Sequence, residues 1–202
     1  MFPPAESLPG LVGPVGSGSA VGRARLRRPR SERSLIRGAL AGSEADLELL
    51  FRRHWPRAHR AAFLIVHDHA AAEDIAQEAF VAAVRRLERF DRRRPFGPWL
   101  GAIVTNRAID WARARASRHE TAESGAEAAS TGDPPLGYSE EVLAALATLS
   151  PEQRAVVVMR YVLEYTPGEI ARALELPRGT VNSRLRRGLD LLESQLREVD
   201  LR

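Results

Sequence analysis

At 202 residues, with no cysteine and a net charge of +4, the chain has room for one or two small domains but none for disulfides, thiolate metal sites or a cysteine nucleophile. No run of about 18 apolar residues occurs, which excludes a membrane-spanning helix. The apolar stretch from Leu11 to Val21 is broken by Gly and Pro and followed by arginines rather than preceded by them, so it is no secretory signal; the expected location is the cytoplasm.

Aromatic residues make up only 6% of the chain and alanine is abundant, a mixture that suits small helical domains. Every basic residue is arginine. Residues 1–40 and 91–119 each carry +5, whereas residues 120–150 carry −6. Residues 151–202, beyond the acidic stretch, carry +1, and basic segments on both sides of it suggest two polyanion-binding units joined by a tether.

Residues 1–40, rich in Pro, Gly, Ser and Arg and without a sustained apolar period, read as a disordered basic tail that adds nothing to a core. Ser43 then caps a helix with Leu47, Leu50, Phe51 and His54 on one face. A second amphipathic helix spans about 71–89, with Ile75, Ala79, Phe80, Val84 and Leu87 inward. Its opposite face carries Asp74, Gln77, Glu78 and Val81, a polar-acidic stripe suited to a basic partner; a merely solvated face is the alternative. The loop from Asp91 to Pro98, with Arg92, Arg93 and Arg94, leads to a third helix from Trp99 to about Arg118. Trp99, Ile103, Asn106, Asp110 and Arg113 share one of its faces, and Leu100, Val104 and Trp111 another. Arg107, Arg113, Arg115 and Arg118 make this the more basic end.

Residues 117–137 mix Glu, Ser, Gly and Pro and read as a flexible linker. Beyond it, Ser150-Pro151-Glu152-Gln153 and Thr166-Pro167-Gly168-Glu169 are capping boxes with proline at the first helical position. The helix after Thr166 ends near Leu174, a tight Pro/Gly turn follows, and another helix starts near Thr180. That is the geometry of a helix-turn-helix. In the second helix Val181, Leu185 and Leu189 should pack inward, leaving Asn182, Ser183, Arg186 and Arg187 outward beside Arg178 and Thr180. An amide, hydroxyls and guanidiniums on one ridge are what base edges and phosphates require. An ordinary helical hairpin does not account for four arginines and no acid between Arg178 and Arg187.

No strand pattern appears, so the expected fold is all-α: two small helical domains, residues 41–116 and 138–202, joined by the linker. No carboxylate pair, Ser-His pair or phosphate loop marks an enzyme, no catalytic residue is assigned and no cofactor is implied. His67-Asp68-His69, with His54 and His59, lacks a further ligand at defined spacing; it reads as a helix end and surface face, not a metal site.

The run from Tyr165 to Leu189 (YTPGEIARALELPRGTVNSRLRRGL), with its approach Leu149 to Arg154 (LSPEQR), resembles the minus-35 reading domain of bacterial sigma factors. Response regulators carry a similar unit, but they also need a parallel α/β receiver, and no strands are expected here. Ala72 to Phe80 (AEDIAQEAF) resembles the helix by which sigma factors grip core RNA polymerase, and Phe96 to Arg113 (FGPWLGAIVTNRAIDWAR) the helix that holds the minus-10 element. The resemblance, to the extracytoplasmic-function type with domains two and four, implies three sets of residues. Asp74, Gln77, Glu78 and Val81 would face the polymerase. Arg92, Arg93, Trp99, Asn106 and Arg113 would hold the single-stranded minus-10 strand, with Asn106 at a flipped base. Arg178, Thr180, Asn182, Ser183, Arg186 and Arg187 would meet the minus-35 duplex. Core RNA polymerase and promoter DNA are the implied partners, and an anti-sigma factor is left open as a third. The competing class is a stand-alone helix-turn-helix regulator, which would not co-purify with core polymerase.

Overall fold

A computed structural model describes residues 30–121 and 137–200. The first helix lies where a tail was expected. Ser31 caps α1 (Glu32–Leu40), its hydroxyl accepting from the Ser34 amide at 3.3 Å, and Leu35 and Ile36 are fully buried. Two core residues in nine are too few to produce a visible period, which is why composition hid this helix. Residues 1–29 lie outside the described residues.

Gly38 lets α1 close onto the next helix: a Cβ there would stand 1.7 Å from an Asp46 carboxylate oxygen. Ser43 opens α2 (Glu44–Val66) by accepting from the Asp46 amide, as its sequence signal requires. The last six residues of α2, from Ala61 to Val66, are all buried, because helices pack around that end on every side. His67 ends it in the left-handed region, at φ 55°.

Asp68 caps α3 (His69–Arg86), accepting from the Ala71 amide at 3.0 Å. Alanines 72, 76, 79 and 83 form its buried stripe, with Ile75 and Phe80 beside them. Small side chains allow α3 to lie close to α2 and α4. Val84, expected inward, is 42% exposed; Ala83 takes the buried place and Leu87 follows in a single 3-10 turn, Leu87–Arg89. The long helix α4 (Phe96–Thr121) buries Leu100, Val104, Thr105, Ala108 and Ile109. It continues through residues 117–121, so the expected linker begins later than composition suggested.

The second bundle comprises α5 (Glu140–Ala147), α6 (Pro151–Tyr161), α7 (Pro167–Ala173) and α8 (Arg178–Asp200). Both capping boxes form in full, at Ser150 with Gln153 and at Thr166 with Glu169. Five consecutive residues of α6, Ala155 to Met159, are buried, because α8 covers one side and α2 and α4 the other. The two bundles thus share one continuous core from Ser31 onward. Leu189, expected inward on α8, is 38% exposed; it lines an apolar groove with Tyr138, Val157 and Tyr161. The described residues contain helices and turns without strands, and no helix among them is long and apolar enough to cross a membrane.

The histidines depart from the expected surface face. His67 and His69 are half-buried around Phe63, with ring centroids 6.3 and 4.2 Å away. Burial, followed by the charge of Arg154, pushes the His67 imidazole down to about 4. His54 Nε2 lies 3.0 Å from a Glu32 carboxylate oxygen.

Candidate nucleic-acid interface

The helix-turn-helix is built by α7 and α8. Leu174 closes α7, Glu175 takes a left-handed backbone at φ 53°, and the Leu176 amide reaches back to the Ala171 carbonyl at 2.9 Å. Pro177 then starts α8, its carbonyl accepting from the Thr180 and Val181 amides. Ile170, Val181 and Leu185 are buried and fix the two helices together. Arg178, Asn182, Ser183, Arg186 and Arg187 are exposed along the other side of α8, and Thr180 is half-buried. The ridge read from the sequence is therefore present as one solvent-facing row.

The second surface starts at the loop before α4. The Asp91 carboxylate accepts from the Arg93 amide at 3.0 Å and its carbonyl from the Arg94 amide at 2.9 Å, a tight turn that holds Arg92, Arg93 and Arg94 outward. A Glu32 oxygen accepts from the Phe96 amide at 2.9 Å, satisfying the first N–H of α4. Helix α1 thereby supports the start of this surface. Trp99 sits half-buried against Phe90 and Phe96, at centroid distances of 4.7 and 5.6 Å. One turn past Ile103, the exposed Asn106 donates its side-chain amide to the Ala173 carbonyl at 3.2 Å.

Between the loop, α4 and α7 lies a cleft of about 390 Å³, lined among others by Arg93, Arg94, Trp99, Asn106, Tyr165 and Arg172. Three guanidiniums, an indole and an amide around one hollow can hold phosphates and an unstacked base. The helical arginines are less available than expected. Arg107 is bonded to Glu78, Arg113 to Glu152, and Arg115 to Asp68 at 3.4 Å. Burial alone would push the Glu152 carboxyl up, but the bond from Arg113 and the charge of Arg184 hold it below its ordinary value.

The third set, Asp74, Gln77, Glu78 and Val81, is exposed on α3 opposite Ile75 and Phe80. Gln77 donates to Glu73 at 3.2 Å, and Val81 is 49% exposed. The stripe exists, with Glu78 partly engaged by Arg107.

Sequence reasoning missed Tyr165, Arg57 and Arg154, which tie the bundles together. The buried Tyr165 hydroxyl donates to the Gly97 carbonyl at 3.1 Å. Arg57 donates to the Leu163 carbonyl and pairs with Glu164 at 3.5 Å. Arg154 donates to the Ile65, Leu146, Ala147 and Leu149 carbonyls at 2.6–2.9 Å. The available signal was the pair Gly97 and Gly101, four apart on one face of α4, which permits close approach of another element.

Comparison with known proteins agrees with the two bundles. The model of sigma-70 region 2 matches residues 50–118, and that of sigma-70 region 4 matches residues 139–192. The RNA polymerase sigma factor CarQ of Myxococcus xanthus is 33% identical over 79% of this chain and 94% of its own length. The ECF RNA polymerase sigma factor SigL of Mycobacterium tuberculosis is 33% identical over 81% of this chain and 96% of its own. The structure of CnrH in complex with the cytosolic domain of CnrY superposes with a TM-score of 0.62 at 28% identity, covering 82% of this chain and 97% of CnrH.

Proposed function

The chain belongs to the extracytoplasmic-function sigma factors, which direct core RNA polymerase to promoters, and on that premise we propose how its surfaces divide the work. The exposed stripe Asp74, Gln77, Glu78 and Val81 docks on core polymerase in the cytoplasm. Arg92 and Arg93 hold phosphates of the melted minus-10 strand, with Trp99 and Asn106 at an unstacked base and Arg113 farther along the backbone. Arg178, Thr180, Asn182, Ser183, Arg186 and Arg187 read the minus-35 duplex. Bond making belongs to the polymerase, and this subunit supplies promoter choice and melting. A match across α2 to α4 as well as α5 to α8 disfavours a stand-alone regulator, which needs only the second bundle.

The observation that carries this reading is the polar surface of α8: Asn182, Ser183, Arg186 and Arg187 are exposed while Val181 and Leu185 are buried. CnrH was solved with a second protein bound. An anti-sigma factor, a protein that withholds the chain from polymerase, completes the proposed partner set.

The test is transcription by holoenzyme reconstituted from core and the full chain. Asn182→Ala relaxes preference at one minus-35 position by about 1–3 kcal/mol, the value of a bidentate base contact. Asn106→Ala slows promoter opening under permanganate footprinting, and a premelted template restores part of the rate, because the unstacking cost has already been met. Unchanged minus-35 selection in the first variant and unchanged melting in the second overturn the respective assignments.

A further inference from the structure

Several arginines have carboxylate partners, among them Arg52, Arg107, Arg113 and Arg115. Another group does not. Arg33, Arg37, Arg86 and Arg89 are exposed, as are Arg92, Arg93 and Arg94, and among the described residues none of them makes an ion pair. Residues 85–94 hold six arginines and two acids, a net +4 that equals the charge of the whole chain. Like charges crowded in this way repel one another in the compact state, and a bound polyanion relieves that cost.

The unpaired charges lie on adjoining elements. The 3-10 turn that carries Arg89 packs against α1, whose exposed side presents Arg33 and Arg37 one turn apart. The one acid of α1 is turned inward: a Glu32 oxygen accepts from the Phe96 amide at 2.9 Å, and the other lies 3.0 Å from His54 Nε2. That contact fixes α1 beside the loop of Arg92, Arg93 and Arg94. Arg85, by contrast, lines a hollow with Gln77, Glu78 and Val81, on the side of the α3 stripe.

Chain connectivity gives this surface a direction on DNA. Helix α4 runs from the arginine loop toward the linker, and the linker leads to the bundle assigned to the minus-35 duplex. The C-terminal end of α4 therefore faces upstream, and the loop faces downstream. Asn106 stands ten residues past Phe96, about 15 Å along the helix at 1.5 Å per residue. A strand followed from Asn106 past Trp99 reaches the loop, and α1 with the 3-10 turn lies next.

We propose that Arg33, Arg37, Arg86 and Arg89 form a further phosphate-binding surface, which holds the single strand downstream of the minus-10 element. This rests on the reading of α4 and its loop as the minus-10 surface. The ligand is the sugar-phosphate backbone, and contacts to it position the strand without reading its sequence. Helix α1 thus anchors the strand as it leaves the cleft, so that an opened promoter is held by charge as well as by the captured base.

The test uses holoenzyme reconstituted from core and the full chain, on a promoter mapped with the wild type. Two forked templates are compared, both duplex through the minus-35 element. In one the single strand ends at the minus-10 element, and in the other it continues downstream. The wild type should bind the longer template more tightly. Arg33→Gln with Arg37→Gln should lose most of that gain and leave binding of the shorter template unchanged. Each phosphate contact on a single strand adds about 0.7 to the slope of log affinity against log salt, so on the longer template the double variant should lower the slope by about 1.4. Adding Arg86→Gln and Arg89→Gln should bring the change to about 2.8. Arg33→Lys with Arg37→Lys keeps the charge and should restore the slope, which separates charge from any effect on the folding of α1.

An equal loss on both templates, an unchanged slope, or Lys variants as weak as the Gln variants overturns the proposal. Weaker assembly with core polymerase in the absence of DNA also overturns it, and assigns the patch to a protein surface. The same holds if the free chain binds phosphatidylglycerol vesicles through these arginines while both templates bind the variants normally. Failure of the minus-10 reading looks different: Asn106→Ala and Arg92→Gln then bind the shorter template like wild type, while the longer one still depends on Arg33 and Arg37.

Discussion

The exposed side of α8 and the exposed side of α4 carry similar chemistry, an amide among guanidiniums, yet the folded chain treats them differently. Asn182 and Arg187 on α8 face solvent. On α4, Asn106 is bonded to Ala173 and Arg113 to Glu152. On the proposed division of work, the first surface meets duplex DNA, and the second meets single strands only once polymerase has opened the promoter. A polar surface needed only late can serve meanwhile as an internal contact, provided its bonds are few and near the rim.

The strongest way to break the comparison is to remove α1. Deleting residues 1–40 strips the fully buried Leu35 and Ile36 and the Glu32 carboxylate that satisfies the Phe96 amide. The loss of those two side chains alone costs about 3–6 kcal/mol. Thermal denaturation should show the first bundle destabilised and minus-10 melting lost, while the α8 row still binds duplex. Retention of the wild-type melting temperature would remove α1 from the account.

A smaller effect comes from Gly101→Leu. The Tyr165 ring must withdraw and give up its bond to Gly97, an overpacking cost of about 1–3 kcal/mol. Because the damage lies between the bundles, a single calorimetric transition should split into two. A single transition at lower temperature would mean that the bundles have no independent stability.

The third test uses pH. Burial and Arg154 hold the folded His67 at about 4, below its ordinary value of 6.5. A group whose folded value is depressed stabilises fully above 6.5 and loses that contribution progressively as pH falls from 6.5 to the folded value. At pH 5 the loss from His67 is about 2 kcal/mol, and His54 and His59, both shifted down chiefly by burial, act in the same direction. Melting temperatures at pH 7.5 and pH 5 should differ accordingly, with His67→Gln flattening the difference. An equal drop in that variant would clear His67 of the role.

The finest discrimination is between the two asparagines themselves. Asn182→Ala should leave stability within about 0.5 kcal/mol, as exposed positions do. Asn106→Ala should lower it by about 1 kcal/mol through the lost bond to Ala173. Equal melting temperatures for the two variants would show that the Asn106 bond has no weight.

The parts of the fold that were legible are those whose cause is local. A Ser or Thr with Gln or Glu three residues on, as at Ser150 and Thr166, announces a helix start because both partners lie within one turn. The α8 row was legible because apolar residues four apart settle which side turns inward. That rule failed at Leu189, two turns beyond Val181, where the partner surface has run out and the leucine lines a groove instead. It failed also at Val84, where an alanine one position earlier packs in its place. Helix α1 was hidden by its brevity. The seat of Tyr165 on Gly101 was hidden by distance, since sixty-odd residues separate them and the spacing of Gly97 and Gly101 marks a close approach without naming the element that makes it.

That seat has an evolutionary consequence. Only a residue without a Cβ at position 101 can receive the phenol of Tyr165 as it sits here, so the two positions should vary together although they lie in different bundles. Among descendants of a common ancestor, a larger side chain at 101 should appear together with loss of the aromatic hydroxyl at 165. Lineages in which both changed have abandoned this way of folding back on themselves, and the identity of one residue is enough to sort them.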